Sequence, residues 1–310
     1  MPRLIRRSLA FLALTLLLGG ALAASDSAQG AFERTYAVAA GAVDLEVLTH
    51  SGDISVRAGP PGTVTVKGKI YVADRLFWGN RRGDVSEIEK NPPIRQAGNS
   101  IHIDYLGQHG ISVDYEITAP PDTALHTHPG SGNQAVGGLR GTVELETGSG
   151  DLRLSDIASS QVRLHSSSGD IEAQEISGPF TAEAGSGNIR LGEKGEGEVR
   201  IRTGSGNIEV RGVRGPLWSE SGSGDTEISG AIVGGWEIRT GSGDVDLRPP
   251  GDAAFDLDAT TGSGKILTDR TVSVVVQGDL RKTEQTIRGK VAGGGPRLSV
   301  RTGSGDIRLH

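Results

Sequence analysis

Aspartate recurs at a fixed spacing through the middle of the sequence. Asp151 and Asp170 are as far apart along the chain as Asp225 and Asp244 are. On successive turns of a coiled chain, such carboxylates could supply the oxygen ligands that calcium prefers. Asparagine takes the same position in other copies, at Asn133, Asn188 and Asn207. Aspartate and asparagine also accept hydrogen bonds from backbone N–H groups in turns, so a purely structural role is the alternative interpretation.

A second set of candidate ligands combines histidine with glutamate. His128, Glu146 and His165 follow one another at nearly that same spacing, and His126 and Glu144 lie two positions before the first two of them. Histidine and carboxylate side chains at one location can bind zinc. Histidines on a charged surface can instead remain solvated, so the sequence leaves metal binding open here.

Serine is the most regular of the reactive residue types, but its pattern argues against catalysis. The motif Gly-Ser-Gly-Asp, or a close variant, recurs with a period of about 18–19 residues, with its serine at Ser149, Ser168, Ser186, Ser205, Ser223 and Ser242. A catalytic nucleophile needs one base beside one serine, whereas small residues suit a repeated tight turn. The sequence contains no nucleophile elbow, phosphate-binding loop or His-Glu-x-x-His motif. We therefore predict a protein that is not an enzyme, and we assign no catalytic, cofactor-binding or metal-binding residue.

The residues around each serine predict two short strands per repeat. Apolar side chains stand six and four places before the serine and three and five places after it; around Ser205 they are Val199, Ile201, Ile208 and Val210. Alternation with a period of two on both sides of a glycine-rich bend is typical of strands that bury one face. One repeat has too few apolar side chains to fold alone. We therefore predict an all-β fold, a β-solenoid (β-helix) with coils of about 18–19 residues.

Charged residues predict the same stacking independently. Three places before the serine, acid and base alternate from one repeat to the next, at Glu146, His165, Glu183, Arg202, Glu220 and Arg239. Unlike charges on neighbouring strands stabilise a pair by roughly 0.2–1 kcal/mol. The alternation has no evident cause unless the repeats are adjacent in space.

The sequence divides into three parts. Residues 1–23 resemble a secretory signal peptide, with three arginines, an apolar run and the cleavage pattern Ala-Leu-Ala at 21–23. Residues 24–125 are predicted to form an irregular N-terminal β region that leads into a solenoid over 126–310. Since no later segment is apolar enough to cross a membrane, we expect an exported protein, periplasmic or at the cell surface, with no membrane span.

Both ends of the body depart from the regular pattern. Residues 74–98 are predicted to be a surface excursion with a helix near 84–90, where Trp78 forms either a contact patch or an anchor on the core. The tripeptide Arg82-Gly83-Asp84 is one that some integrins recognise, although a match of three residues is close to chance. At the other end, the last repeat closes on His310 with nothing to cover it. We expect an open edge there that supports end-to-end self-association, unless residues 268–295 fold back as a cap.

Composition excludes further classes of function. The 310 residues include no cysteine and carry a formal net charge of −6. The chain therefore has no thiol for redox or thiolate–metal chemistry and no surplus of basic residues for binding nucleic acid.

Several segments resemble a known family. They are "VDLEVLTHSGDISV" at 43–56, "DYEITAPPDTALHTHPGSGN" at 114–133, "RTGSGNIEV" at 202–210 and "LSVRTGSGDIRLH" at 298–310. They are similar to a family of bacterial β-strand-repeat proteins of unknown function that carry the label adhesin. The resemblance implies a right-handed β-solenoid and an exported or envelope location, and it implies no catalytic residue.

These features together predict an exported, non-catalytic β-solenoid that serves as a structural or adhesive surface at the cell envelope. Its partner would be an envelope protein or a glycan. A periplasmic ligand-binding or scaffold protein is the first alternative. A polysaccharide-acting β-helix enzyme is the second, and it would need acidic and basic side chains gathered in one cleft.

Overall fold

The computed structural model describes residues 28–73, 78–274 and 285–310. These ranges contain one α-helix, α1 (Trp78–Lys90), and two β-sheets, which we call the front and back sheets. The front sheet contains β1 (Gly30–Ala37), β3 (Ile54–Ala58), β4 (Thr63–Val72), β7 (Ile111–Ala119), β9 (Gln134–Gly137), β11 (Leu152–Ala158), β13 (Ile171–Ser177), β15 (Ile189–Glu193), β17 (Ile208–Val213), β19 (Thr226–Gly230), β21 (Val245–Arg248), β23 (Ile266–Thr268) and β27 (Ile307–Leu309). The back sheet contains β2 (Val43–Ser51), β5 (Ile94–Ala97), β6 (Ser100–Ile103), β8 (Thr123–Ser131), β10 (Val143–Thr147), β12 (Val162–Ser166), β14 (Phe180–Ala184), β16 (Val199–Ser205), β18 (Leu217–Ser223), β20 (Trp236–Ser242), β22 (Phe255–Ser263), β24 (Val272–Val274), β25 (Gln285–Val291) and β26 (Arg297–Ser304). The predicted signal peptide, 1–23, lies outside the described residues.

Each repeat contributes one strand to each sheet. Val143 pairs with Val162, and Val162 pairs with Phe180, in parallel register, so each pairing joins one repeat to the next. We call a back-sheet strand together with the front-sheet strand that follows it a coil. Two strands per repeat is what the sequence predicted, and the fold is all-β with coils stacked as in a solenoid.

The core lies between the two sheets. In the coil around Ser205, the side chains of Val199, Ile201, Ile208 and Val210 are at most 1% exposed. Burying each such side chain contributes roughly 1.5–3 kcal/mol. The apolar positions predicted to point inward therefore form a continuous core along the stack.

The glycine that follows each serine is required by the close approach of neighbouring coils. A Cβ atom on Gly187 would lie 1.9 Å from the carbonyl oxygen of Gly169, and one on Gly169 would lie 1.9 Å from that of Gly150. No real Cβ approaches a backbone oxygen so closely, so any side chain here would force the coils apart. The sequence suggested both positive φ and close backbone packing as reasons for small residues here, and close packing explains this column.

Buried hydroxyl groups two places before the serine satisfy the carbonyls of these glycines. Thr203 donates to the Gly187 carbonyl at 2.9 Å, and Thr302 donates to the Gly243 carbonyl at 3.1 Å. A carbonyl left without a partner inside the protein would cost about 1–3 kcal/mol. Threonine or serine occupies this column in most coils, with Ala184 as an exception, although packing alone would favour valine.

The N-terminal part of the chain builds coils out of sequence order. Ser51 and Ser131, which are far apart in the sequence, are direct partners on β2 and β8. The intervening chain adds β6 to the other side of β2 and β7 to the other side of β3. The long gap between these two copies is thus an excursion to the end of the stack and back.

The C-terminal part of the chain also builds coils out of sequence order, and the expectation of an open edge at His310 was wrong. The closing coil is inserted inside the stack: β26 lies between β20 and β22, and β27 lies between β21 and β23. Ile307 and Leu309 are only 1% and 3% exposed, so the last repeat leaves no open edge at His310. The chain first builds β22 and β23 farther out and then returns. Outside them, β24 and β25 fold back antiparallel as the edge of the back sheet, which agrees with the capping alternative.

Helix α1 begins earlier than predicted and packs against the edge strand β1. Glu89 accepts a hydrogen bond from the backbone N–H of Ala31 at 3.0 Å, and Arg34 donates to the Glu89 carbonyl at 2.8 Å. These bonds occupy part of an edge that could otherwise pair with another chain. Arg82-Gly83-Asp84 lies within this helix, and the side chain of Trp78 lies outside the described residues.

The glycine column predicts a steep and local effect on stability. Gly187→Ala should lower the free energy of unfolding by about 1–3 kcal/mol, because the added methyl group forces two coils apart. Gly251→Ala is the matched control, because a Cβ there meets nothing within 4 Å, and it should change stability by less than about 0.5 kcal/mol. Urea unfolding of both variants measures the difference; equal effects would contradict the steric explanation.

Candidate functional site

The aspartate column forms a continuous hydrogen-bonded ladder between coils. The Oδ1 atom of Asp151 accepts from the backbone N–H of Asp170 at 3.1 Å, and that of Asp170 accepts from Asn188 at 2.8 Å. Ten such bonds of 2.8–3.1 Å join, in stacking order, Asp114, Asp53, Asn133, Asp151, Asp170, Asn188, Asn207, Asp225, Asp244, Asp306 and Lys265. We call this set the Asx ladder. It has the structural role given above as the alternative to calcium, except that each side chain bonds to the next coil and not to its own turn.

The residues at the two ends of the Asx ladder depart from the repeat, and their positions in the stack explain why. Lys265 lies on the outermost coil of the described stack, so its N–H donates to Asp306 and no further coil requires an acceptor from its side chain. At the other end, Asp114 on β7 begins the ladder from outside the serine motif, and for that reason the sequence did not reveal it. Burial raises the pKa of Asp114, although the N–H of Asp53 and the charge of Lys69 oppose this.

The second carboxylate oxygen of several ladder residues pairs with arginine. Arg153 donates to Asp151 at 2.7 Å, and Arg308 donates to Asp244 at 2.8 Å. The N–H of Asp306 and the guanidinium of Arg308 both lower the pKa of Asp244. These carboxylates therefore already have partners on both oxygens.

Histidine and glutamate pair across strands on the outer face of the back sheet. His128 Nδ1 lies 2.8 Å from Glu146 Oε2, and His126 Nδ1 lies 3.3 Å from Glu144 Oε2. His165 is 3.9 Å from Glu183. Within the described ranges, no three His, Asp or Glu side chains are grouped so that they could hold a metal ion.

A further pair of this kind was missed in the sequence. His102 Nδ1 lies 2.6 Å from Glu46 Oε2, because β6 pairs with β2 at the end of the stack. His102 belongs to the N-terminal excursion and not to a Gly-Ser-Gly-Asp copy. Only the stacking order brings it into the same face as His126 and His128.

The alternating charges lie in register as predicted. Glu183 pairs with Arg202, and the Arg202 guanidinium lies 3.6 Å from the Glu220 carboxylate on the next strand. The alternation ends where Arg239 meets Arg301 of the inserted coil. Each exposed ion pair contributes only about 0–1 kcal/mol to stability. The alternating charges therefore select the register of the strands more than they stabilise the fold.

One concave feature of the described residues is a groove on the outer face of the front sheet. It has a volume of about 490 Å³ and crosses β3, β9, β11 and β13. Its floor is low because β9 presents only Ala135 and Gly137 outward, where β11 presents Arg153 and Ser155 in the same register. Arg57 lines the groove from β3 on the other side. The groove thus exists because the outward side chains of one strand, β9, are smaller than those of its neighbours.

The chemistry of the groove is polar and carries both charges. Arg57 and Arg153 provide guanidinium groups that can bind carboxylates or sulfates. Glu172 lies beside Arg153 in register, and Asp156 is paired with Arg140 at 3.0 Å. The lining includes no histidine, lysine or cysteine. The arrangement can hold an acidic or polyhydroxylated group, and the sequence missed it because it results from the absence of large side chains in one copy.

Comparison with known protein families identifies the family of this chain. The family model described as Toastrack DUF4097 matches residues 34–310. The chain belongs to this family. The match confirms the resemblance found in the sequence.

Two solved structures are similar to this toastrack chain. A candidate adhesin from Bacteroides fragilis is 13% identical, with a TM-score of 0.35, over 91% of this chain and 98% of that chain. A candidate cell adhesion protein from Clostridium sporogenes is 12% identical, with a TM-score of 0.23, over 90% and 98% respectively. None of the curated proteins matches the chain.

One carboxylate of the toastrack chain stands where other coils have an aliphatic residue. Glu193 at the end of β15 pairs in register with Ile176, which pairs with Ile157, and both isoleucines are fully buried. Both carboxylate oxygens of Glu193 are buried and form no hydrogen bond of good geometry within the described residues. Burial raises the pKa of Glu193 to about 7, and the backbone N–H of Arg214 only partly opposes this. A register shift after Ala173 brings Glu193 to this corner, so spacing in the sequence did not predict it.

The Asx ladder predicts different effects of alanine at two of its positions. Asp170→Ala removes the acceptor of the Asn188 N–H and should lower the free energy of unfolding by about 1–3 kcal/mol. Asp170→Asn keeps an acceptor and should cost much less. Lys265→Ala is the control, because the Lys265 side chain accepts no ladder bond; an equal loss there would contradict the ladder. Urea unfolding measures all three.

Glu193 predicts a pH dependence of stability with a defined sign. The unfolded carboxyl releases its proton near pH 4.5, whereas the folded one holds it to about pH 7. The free energy of unfolding should therefore fall as the pH rises from about 4.5 to about 7 and should level off above that. Glu193→Gln should reduce this fall, whereas the exposed Glu196→Gln should leave it unchanged. Urea unfolding at a series of pH values tests this, and the same slope in all three proteins would contradict it.

Proposed function

We propose that this toastrack protein is an exported, non-catalytic, right-handed β-solenoid that provides a structural or adhesive surface at the cell envelope. The observation that carries the proposal is the contrast between the uniform stack and the groove. Along the stack, glycines, hydroxyls and Asx side chains all serve coil-to-coil contact. The groove is a place where the outward side chains depart from that pattern.

Export is supported by the leader-like residues 1–23, followed by the irregular region 24–125 and the solenoid 126–310. In the described ranges, no helix combines the length and apolarity needed to cross a membrane. The back sheet presents an even outer face of paired charges, from Glu146 and His165 to Glu220 and Arg239. A long, evenly charged face of this kind suits a scaffold.

A non-catalytic role is supported by how the reactive side chains are used. The motif serines Ser149, Ser168 and Ser186 are exposed in a row, and each lies in the same environment as the others. The ladder carboxylates are bonded to backbone N–H groups. Within the groove, Arg153 is paired with Asp151 at 2.7 Å and Asp156 is paired with Arg140 at 3.0 Å, so these charged groups already have partners.

The groove indicates what the surface would bind. Guanidinium groups from Arg57 and Arg153 lie on opposite sides of a floor formed by Ala135 and Gly137. This fits an acidic sugar of an envelope glycan or an acidic segment of an envelope protein. The groove also favours the second candidate, a periplasmic protein that binds a soluble ligand, because its volume of about 490 Å³ would enclose part of a small molecule.

Filling the groove tests the proposal. The purified protein is immobilised and exposed to purified envelope polysaccharide and to solubilised envelope proteins. Ala135 is exposed, so Ala135→Trp should fill the groove without disturbing the core, and we expect it to abolish the binding seen with the unmodified protein. Thr181→Trp adds the same bulk to the outer face of the back sheet and should leave binding intact.

Three outcomes would contradict parts of the proposal. Binding that survives Ala135→Trp would remove the groove from it. Absence of binding to any envelope fraction would remove the adhesive role. Release of new reducing ends from the polysaccharide by the unmodified protein would show that it is an enzyme.

A further inference from the structure

The inserted closing coil is the only strand-paired link between the body and the outermost coil in the described structure. The back-sheet strand β22 pairs with β26 and with β25, and the front-sheet strand β23 pairs with β27 alone. On its other side, the closing coil pairs with β20 and β21. Residues 297–309 thus fill a slot one strand wide that runs through both sheets.

The slot selects its occupant at several positions. Leu298, Val300, Ile307 and Leu309 fill the core at 0–3% exposure. Asp306 must both donate to Asp244 and present an acceptor to Lys265. An occupant therefore needs an Asx residue in ladder register with apolar residues at fixed spacing on both sides.

The glycine and hydroxyl columns further restrict which segment can occupy the slot. A Cβ on Gly305 would lie 2.0 Å from the Gly243 carbonyl, so the occupant needs glycine directly before the Asx residue. Thr302 donates to that same carbonyl. The required pattern, Thr-Gly-Ser-Gly-Asp with flanking apolar residues, is carried by residues 298–309 and shared by other copies such as 236–247, so the slot fits a coil of this repeat from the same chain or from another copy.

The connection into the closing coil is built as a hinge. Residues Ala292, Gly293 and Gly294 all have positive φ, at 48°, 93° and 90°. This segment carries the chain from β25, on the outer side of β22, round to β26 on its inner side, where the Pro296 carbonyl accepts from Asp256 at 3.1 Å. Glycine adopts alternative backbone conformations readily, so the segment can open with little strain.

One carboxylate holds the closed arrangement together. The Asp258 carboxylate on β22 accepts a hydrogen bond from Arg288 of β25 at 3.0 Å and another from Arg297 of β26 at 2.9 Å. Burial alone would raise the pKa of Asp258, but the two arginines lower it. The contact with Arg297 can form equally well when Arg297 comes from another copy. The contact with Arg288 stays within one chain.

We propose that the closing coil is exchanged between two copies of this protein, each inserting residues 297–310 into the slot of the other. The exchanged dimer keeps every contact of the slot and changes only the hinge at 292–296. Reciprocal exchange leaves no slot empty, which favours a closed dimer over an open chain. This inference does not rest on the proposed function.

Paired cysteines distinguish exchange from other contacts. The chain contains no cysteine, and the exposed Ser242 and Ser304 are direct partners on β20 and β26. The Ser242→Cys/Ser304→Cys variant is refolded from urea at low and at high concentration, oxidised and run on a non-reducing gel. We expect an intrachain disulfide at low concentration and a disulfide-linked dimer as the major species at high concentration.

The control uses a pair on one side of the hinge. Ser223 and Ser242 are partners on β18 and β20, which exchange cannot separate. The Ser223→Cys/Ser242→Cys variant should remain an intrachain species at both concentrations. A monomeric disulfide in both variants at both concentrations would overturn the proposal, as would dimers of equal amount in both, because equal amounts indicate random cross-linking.

The unmodified protein provides a test that does not depend on the folding of a variant. A mixture of isotope-labelled and unlabelled chains is unfolded, refolded together at high concentration and examined by native mass spectrometry. Exchange predicts dimers of intermediate mass that persist on dilution, since separation requires the slot to open. Monomers alone, or dimers that dissociate at once on dilution, would overturn it.

Discussion

The whole architecture depends on how closely neighbouring coils approach at the corner after each serine. Parallel strands lie about 4.8 Å apart, and at this corner the backbone of one coil rests on that of the next, so close that a Cβ on Gly187 would meet the Gly169 oxygen at 1.9 Å. This contact accounts for the glycine. It also places each Asx side chain within reach of the next backbone N–H and each buried hydroxyl within reach of a glycine carbonyl. Three columns of the repeat are thus consequences of one distance.

The sequence predicted the strands, the inward positions and the charge register, because each of these is set by residues within one repeat or its neighbour. Val199 and Ile201 alternate with polar residues, and alternation has one structural meaning. The order of the coils was not predictable in the same way. Ser304 pairs with both Ser242 and Ser263, and nothing local distinguishes that arrangement from pairing in sequence order, because every copy carries the same edge pattern. The lysine at position 265 was the one local sign, since only an outermost coil can do without a ladder acceptor.

The candidate site was less predictable than the fold. The groove depends on what Ala135 and Gly137 lack, and a short side chain at an outward position looks unremarkable until its neighbours Arg57 and Arg153 are known to stand beside it. Glu193 was hidden for another reason: a register shift moves it into a column that the sequence spacing assigns elsewhere. The histidines near Glu146 were correctly placed on one face. Their partners, however, are single glutamates on adjacent strands.

The inserted coil also means that the molecule cannot fold in the order in which it is synthesised. Residues 255–268 leave the ribosome before 297–309 do, yet in the finished stack they lie beyond them. Until the later residues arrive, β22 and β23 lack their native partners, and the growing stack ends at β20 and β21 with a bare parallel edge. Domains in general begin to fold from the N-terminal side during synthesis. Here the C-terminal part of the chain, from β22 onward, must wait and then assemble together, which makes the last step of folding a non-local one and gives it the slow kinetics of such steps.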